Sequence, residues 1–129
     1  MLTTARGTLQ AATVISKTTP TIIGQEISCG AYATITLFFD YVKGDETGLV
    51  IYPYLRQDTG GTNYQDQSWT SAAGVRTVLA NSYKVTASGN HMINIDVRGV
   101  KFIAFYQGGS DDDGTPTGTL AASYTMTGI

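Results

Sequence analysis

In the first half of this chain apolar and polar residues alternate with a period of two, a pattern typical of β-strands and not of helices. In the first long stretch the apolar face consists of Ile35, Leu37, Phe39 and Tyr41. A polar segment, KGDETG at 43–48, interrupts the pattern, and a second stretch resumes it with Leu49, Ile51, Pro53 and Leu55. Because successive side chains of a β-strand point to opposite faces, the pattern predicts two long strands. Turn-forming residues join them, so we interpret the pair as a β-hairpin.

Strand-like stretches recur along the rest of the chain. Nine are predicted, at 8–16, 21–28, 32–42, 49–57, 63–70, 76–86, 91–98, 100–107 and 119–126. Glycine, proline and asparagine punctuate them, and only 71–81 has a pattern that also fits a short helical turn. Many short strands with frequent breaks predict an all-β fold. We expect a two-sheet antiparallel β-sandwich of about eight to nine strands, either jelly-roll-like or immunoglobulin-like.

Length and composition fit one β domain with an uncharged surface. The 129 residues, 13.7 kDa, suffice for one hydrophobic core, so residues 1–129 are predicted to form a single domain. Charged residues are 14% of the chain, against roughly 25% in an average soluble protein. The formal net charge is −2, and the eight Lys and Arg residues are dispersed. This distribution excludes an electrostatic footprint for nucleic acid.

The single cysteine and the N-terminal residues indicate where the protein folds. Cys29 has no second cysteine in the chain, so an intrachain disulfide is excluded, and we expect a buried thiol, with an interchain bridge as the alternative. Residues 1–16 lack the basic and apolar regions of a signal peptide, and no run approaches the roughly 20 apolar residues of a membrane span. We therefore expect synthesis in the cytoplasm and no membrane partner.

Groups that carry chemistry are sparse. His91 is the only histidine, no serine lies in a nucleophile motif, and His91 is interpreted as a surface or interface residue. We predict no catalytic residue, no cofactor and no enzymatic activity. The run Asp111-Asp112-Asp113 offers oxygen ligands for calcium but lacks EF-hand spacing, so we interpret it as a solvated loop, with ion binding as the alternative.

Two predicted strands are apolar on both faces. In 49–55 the second face carries Tyr52 and Tyr54, and in 100–107 it carries Phe102 and Tyr106. One face of each sheet in a sandwich contacts water, so either these rings cover their neighbours or a partner subunit covers them. The candidates for an interface are Tyr52, Tyr54, Phe102, Tyr106 and Trp69. Pro53 cannot donate a ladder hydrogen bond, so its strand is predicted to be an edge or to contain a bulge.

The segment FFDYVKGDETGLVIYPYL, followed by GGTNYQDQSW, resembles small virion proteins of tailed bacteriophages. In that family an apolar strand ending in tyrosine leads through a KGDET-like turn to a second apolar strand. The stretch from Asn94 to Phe105 fits the pattern loosely, and Pro53-Tyr54 departs from it. The resemblance implies a particle component of the head, neck or tail, and it brings no catalytic residues.

The residues and the resemblance together favour a non-enzymatic structural component of a phage particle. A head decoration or cement protein that binds the capsid shell is the leading hypothesis, and a neck or tail accessory subunit is its alternative. The expected partners are capsid or other virion proteins and further copies of the chain in a homo-oligomer, and the expected location is the virion. A receptor- or glycan-binding module, with Tyr52, Tyr54, Tyr64 and Trp69 as an aromatic platform, is the rival from another class. A hydrolase on a jelly-roll scaffold is the least favoured, since no motif pairs carboxylates.

Overall fold

The computed structural model describes residues 4–16, 20–58, 61–109 and 115–128, except for the side chains of 68–70 and 78–80. Its described residues form twelve strands and no helix. In chain order β1 to β12 are Thr4–Val14, Thr21–Ile22, Ile27–Ser28, Thr34–Val42, Leu49–Arg56, Tyr64–Gln65, Gln67–Ala72, Val75–Ala80, Tyr83–Val85, Gly89–Asp96, Phe102–Gly109 and Thr119–Thr127. Within these ranges no helix is long and apolar enough to cross a membrane.

The strands build two antiparallel sheets and one separate hairpin. The first sheet has the order β1-β12-β4-β10. In the second sheet β11 and β5 are central, with β2 and β3 beside β11 and with β6 and β9 beside β5. The short strands β2 and β3 share one position in the second sheet, and β6 and β9 share another, so each sheet has four positions. In both sheets a strand from the end of the chain lies between two earlier strands: β12 lies between β1 and β4, and β11 lies between β2–β3 and β5. This order is that of a jelly roll rather than an immunoglobulin-like sandwich.

The number of strands differs from the eight or nine predicted because three predicted stretches are each divided in two. The stretch at 21–28 breaks at Gly24, whose positive φ of 67° bends the chain between β2 and β3. The other two, at 63–70 and 76–86, break where the chain leaves the second sheet for the β7–β8 hairpin and returns to it. A local pattern of apolar residues predicts that a stretch is extended, but it does not predict that the stretch pairs with one strand at its start and with another at its end.

The hydrophobic core lies between the two sheets and confirms the alternation seen in the sequence. Its largest buried side chains come from both sheets and include Ile35, Leu37, Phe39 and Tyr41 on β4, Leu49 and Ile51 on β5, and Ile103 and Phe105 on β11. Burial of each such side chain stabilises the fold by roughly 1.5–3 kcal/mol relative to exposure.

The predicted hairpin at 32–57 is wrong in its pairing, although both of its strands exist. β4 pairs with β12 and β10 in the first sheet, whereas β5 pairs with β11 in the second. Residues 43–48 therefore carry the chain across the sandwich from one sheet to the other. In either arrangement each strand directs its apolar face into the core between the sheets, so the apolar pattern does not distinguish a hairpin from a crossover.

Pro53 lies neither on an edge strand nor at a bulge. β5 pairs with β11 over residues 49–56 without a register shift, and Pro53 lies opposite Phe105. On the other side of β5, β9 pairs with residues 49–51 and β6 with residues 54 and 55. The Pro53 carbonyl accepts from the Asp66 amide on that side, so the proline nitrogen faces the break between the two short strands. The missing N–H therefore costs no ladder hydrogen bond.

The β7–β8 hairpin projects from the second sheet. Its turn residues Ala73 and Gly74 have φ values of 52° and 77°, the signs required for a type I′ turn. Among the described strands β7 and β8 pair only with each other. At the base of the hairpin, Asn81 donates to Asp66 from its backbone amide, at 2.7 Å, and from its side chain, at 3.0 Å.

Candidate interaction surface

Four of the five predicted interface residues lie together on the outer face of the second sheet. Tyr52 and Tyr54 on β5 and Phe102 and Tyr106 on β11 are all half-buried. Tyr106 lies directly opposite Tyr52, and the rings of Tyr54 and Tyr106 meet edge to face, with centroids 5.1 Å apart and planes at 87°. We call these four residues the aromatic face.

The aromatic face shields its own centre. Ala104 lies on β11 between Phe102 and Tyr106 and opposite Tyr54, yet it is only 1% exposed. The small side chain lets the larger rings approach each other over it, and an edge-to-face pair adds about 0.5–1.5 kcal/mol to what area burial gives. The rings thus cover their neighbours in part, and each still presents part of its own surface to solvent.

A polar group borders the aromatic face at the end that carries Phe102. Arg56 lies opposite Phe102 and pairs with Glu26, with Nη1 and Oε2 2.7 Å apart and each side chain 19% exposed. The Arg56 Nε also donates to the Asn63 Oδ1. A half-buried aromatic centre with a hydrogen-bonded polar rim has the composition of a protein–protein interface.

Trp69 and Tyr64 do not complete an aromatic platform. Trp69 lies on β7 opposite Val78, in the projecting hairpin, and its side chain lies outside the described part of the structure. Tyr64 lies opposite Leu55, which packs against the core, so Tyr64 is on the inner side of β6 at the rim of the sandwich. The predicted platform of Tyr52, Tyr54, Tyr64 and Trp69 is therefore wrong for Tyr64, and for Trp69 it stays a prediction.

Glu46 is a buried acid that the sequence had placed in an ordinary turn. It is 2% exposed and lies in the segment that crosses between the sheets. Its Oε2 accepts hydrogen bonds from the Tyr41 hydroxyl and from the Gly44 amide, the latter at 3.0 Å. Its Oε1 accepts from the amides of Thr117 and Gly118 at 3.2 and 2.9 Å. We call this arrangement the Glu46 clasp, because it fastens the crossover to the start of β12.

The hydrogen bonds of the clasp decide the charge of Glu46. Burial of the carboxyl by itself raises the pKa, but donation from the Tyr41 hydroxyl and from the amides of Gly44, Glu46 and Gly118 outweighs it, so that the pKa falls from 4.5 to about 2. Both carboxylate oxygens of Glu46 accept hydrogen bonds from donors of the protein itself. The carboxylate is therefore a structural group and not a general acid or base.

Acid is expected to weaken the fold through this group. A carboxyl with a lowered folded pKa stabilises the protein above its unfolded pKa, and the contribution is lost as the pH falls from 4.5 to about 2. The loss is roughly 3 kcal/mol, from about 1.4 kcal/mol per pKa unit. Urea unfolding of the wild type and of Glu46→Gln across this pH range measures it. The Asp96 carboxylate, hydrogen-bonded to Arg98, also has a pKa lowered to about 2, so the difference between the two proteins isolates Glu46. Parallel pH profiles would contradict the assignment.

His91 faces the core, which corrects its interpretation as a surface or interface residue. Its ring packs on Phe39, with centroids 5.3 Å apart and planes at 33°. The buried Nε2 has no hydrogen-bond partner among the described residues. The ring therefore packs at the edge of the core.

The other candidate groups give no site. Cys29 is buried as expected, and burial together with the nearby charge of Glu26 raises the pKa of its thiol to about 11. Within the described ranges no three His, Cys, Asp or Glu side chains are grouped so as to hold a metal ion. The Asp111–Asp113 run lies outside the described residues, so the solvated loop and the alternative of ion binding both stay predictions.

Comparison with known proteins identifies relatives in fold only. No protein-family model matches the chain, and no curated protein does. The SPBc2 prophage-derived protein YomS has the same fold with a TM-score of 0.61 and 15% identity, over 98% of this chain and 95% of that one. The infectious bursal disease virus VP2 subviral particle gives a TM-score of 0.59 at 12% identity, over 98% of this chain and 32% of that one. The Gx strain of that virus gives 0.57 at 11%, with coverages of 98% and 32%.

These likenesses, at 11–15% identity, concern the fold of the chain. The chain is an all-β jelly-roll protein whose structural neighbours are a prophage-derived protein and chains of virus particles. It matches nearly the whole length of YomS and about a third of the length of the viral chains. The resemblance seen in the sequence thus agrees with the fold at the level of viral β-rich proteins.

Proposed function

We propose that this protein is a non-enzymatic structural component of a bacteriophage particle, attached to the head as a decoration or cement protein. The observation that carries the proposal is the likeness in fold, over 98% of this chain and 95% of the other, to a prophage-derived protein. The jelly roll is also a fold of viral capsid domains, where packed subunits use it as a rigid building block.

The two outer faces of the sandwich suggest how it would be attached. The outer face of β4 and β12 is polar at one end, with Thr34, Thr36, Ser123 and Thr125 in adjacent rows, and carries single exposed apolar side chains, Phe38 and Val42, toward the other. The outer face of the second sheet carries the aromatic face instead. Tyrosine and phenylalanine are enriched where protein surfaces meet, so we propose that the second sheet faces the shell and that the first faces solvent.

Attachment to a particle is tested directly on particles produced from the genome that encodes this chain. An antibody against the protein should detect it in the particle band of a density gradient, and immunogold electron microscopy should place the label on the head. Label at the neck or tail would replace the decoration role with that of an accessory subunit. Protein that stays at the top of the gradient while particles form normally would refute a virion role.

Loss of the aromatic face should weaken attachment without unfolding the protein. Replacing Tyr54 and Tyr106 together with serine is expected to lower affinity for particles that lack the protein by at least about 30-fold, since the loss of a single hot-spot tyrosine already costs about 2 kcal/mol. Tyr64→Ser is the matched control, because Tyr64 is exposed and lies on the other side of its sheet. Co-sedimentation measures binding, and far-ultraviolet circular dichroism checks the fold. Equal losses in the double variant and the control would contradict the proposed orientation.

A further inference from the structure

The first sheet has two edges of different character. β10 forms one of them, and it pairs with β4 through all of Gly89–Asp96 without a register shift, while no described strand pairs with its other side. β1 forms the opposite edge, and its ladder with β12 is shifted twice between Thr8 and Thr13. Natural edges are commonly interrupted by bulges, prolines or lysines. β10, with the sequence GNHMINID, has none of these and therefore offers a regular edge to another strand.

The backbone groups that face this open edge follow from one hydrogen bond. The Val97 amide donates to the Ala33 carbonyl at 2.9 Å, on the β4 side of the strand. Successive residues of a strand direct their N–H and C=O groups to opposite sides. The groups of Asn90, Met92 and Asn94 consequently point away from β4, toward the open edge.

The same edge carries exposed apolar side chains. Met92 is 60% exposed and lies on the outer face opposite Phe38, which is 42% exposed. Asn90 and Asn94 lie on either side of Met92 on that face, and the only ionisable group of the strand besides His91 is Asp96, at its end. The centre of the edge is thus apolar, flanked symmetrically by amides and free of like charges.

We propose that β10 pairs with β10 of a second copy of this chain, antiparallel, with Met92 on the two-fold axis. This inference goes beyond the proposed function and uses a different surface. In this register Met92 exchanges two backbone hydrogen bonds with its symmetry mate, and Asn90 and Asn94 exchange two with each other at both ends. The outer face then has a continuous apolar row, Phe38–Met92–Met92–Phe38, and each Asn90 lies beside an Asn94 of the second copy. The strand is self-complementary in backbone and side chains, which is what an isologous interface requires.

Sedimentation tests the pairing on the full chain. The wild type should sediment as a species of twice the 13.7 kDa mass of one chain, and Met92→Lys should sediment as a monomer, because two ammonium groups would meet at the axis. Val42→Lys is the matched control. Val42 is 61% exposed on the same outer face, but its strand β4 lies between β12 and β10. A wild type that is monomeric up to about 1 mM, the weak limit of ordinary association, would overturn the proposal. So would a Met92→Lys dimer as stable as the wild type.

Cysteine cross-linking tests the register. Directly opposite residues in a hydrogen-bonded antiparallel pair have Cα atoms about 5.5 Å apart, within the range of a disulfide. Met92→Cys should therefore form a covalent dimer on mild oxidation. In Asn94→Cys the two cysteines would lie four residues apart along the ladder, about 13 Å, and should not cross-link. The buried Cys29 is not expected to interfere. Equal cross-linking of both variants, or cross-linking of Asn94→Cys alone, would refute the register.

Discussion

Replacement of Glu46 by glutamine is expected to lower the free energy of unfolding at neutral pH by about 3 kcal/mol, a typical cost of breaking a buried charged hydrogen-bond network. The glutamine amide can accept on one side only. If its oxygen keeps the amides of Thr117 and Gly118, its NH₂ group faces the Gly44 amide, and two donors then meet in a buried place. Urea unfolding followed by circular dichroism measures the difference.

The control for this substitution lies next to it. Asp45→Asn also removes one carboxylate from the crossover, but Asp45 is exposed, so the change should stay within about 0.5 kcal/mol. If the two variants were equally stable, the buried hydrogen bonds of Glu46 would not be what fastens the crossover to β12.

Replacement of Gly24 by alanine is expected to destabilise the protein by about 3 kcal/mol, the sum of a left-handed backbone and an overpacked contact. Gly24 has a φ of 67° between β2 and β3. A Cβ atom there would lie 2.8 Å from the Leu9 carbonyl carbon and 3.0 Å from its Cα, in the backbone of β1. Because backbone and not a flexible side chain blocks the space, the edge of one sheet would have to move away from the other. Thermal or urea unfolding measures this loss.

Gly74 separates the two causes. It has a φ of 77° in the β7–β8 turn, yet a Cβ atom there would have no atom of the described residues within 4 Å beyond its two chain neighbours. Gly74→Ala should therefore cost only the conformational part, about 1 kcal/mol. A Gly24→Ala variant no less stable than Gly74→Ala would show that the approach of β1 to the β2–β3 bend is looser than described.

Particle binding is proposed for one surface of the molecule and pairing with a second copy for another, and the two can be tested separately. The aromatic face belongs to the second sheet, whereas the open edge of β10 belongs to the first. A variant that loses particle binding but still dimerises, and another that does the reverse, would show that the surfaces act independently. Both properties would suit a subunit that binds a shell in pairs.

The sequence by itself determined which residues are buried and which strands carry two apolar faces. Burial in a strand follows a period of two that any local window reveals, so Ile35, Leu37, Phe39 and Tyr41, which the structure buries, were assigned to one apolar face without knowledge of their partners. The same reasoning found Tyr52, Tyr54, Phe102 and Tyr106, which the structure brings together on one face. Their role as an interface stays a prediction.

Only the tertiary structure decided which strands pair and what the polar residues between them do. A polar segment such as 43–48 has the same composition whether it turns within one sheet or crosses to another, so the hairpin and the crossover were indistinguishable from the sequence. Glu46 looked like a turn residue because the donors that hold it include amides more than 70 positions away in the chain. The jelly-roll order and the position of Pro53 at a break likewise depend on long-range pairing. Pairing of this kind is fixed by the global packing of two sheets around one core, and no local pattern encodes it.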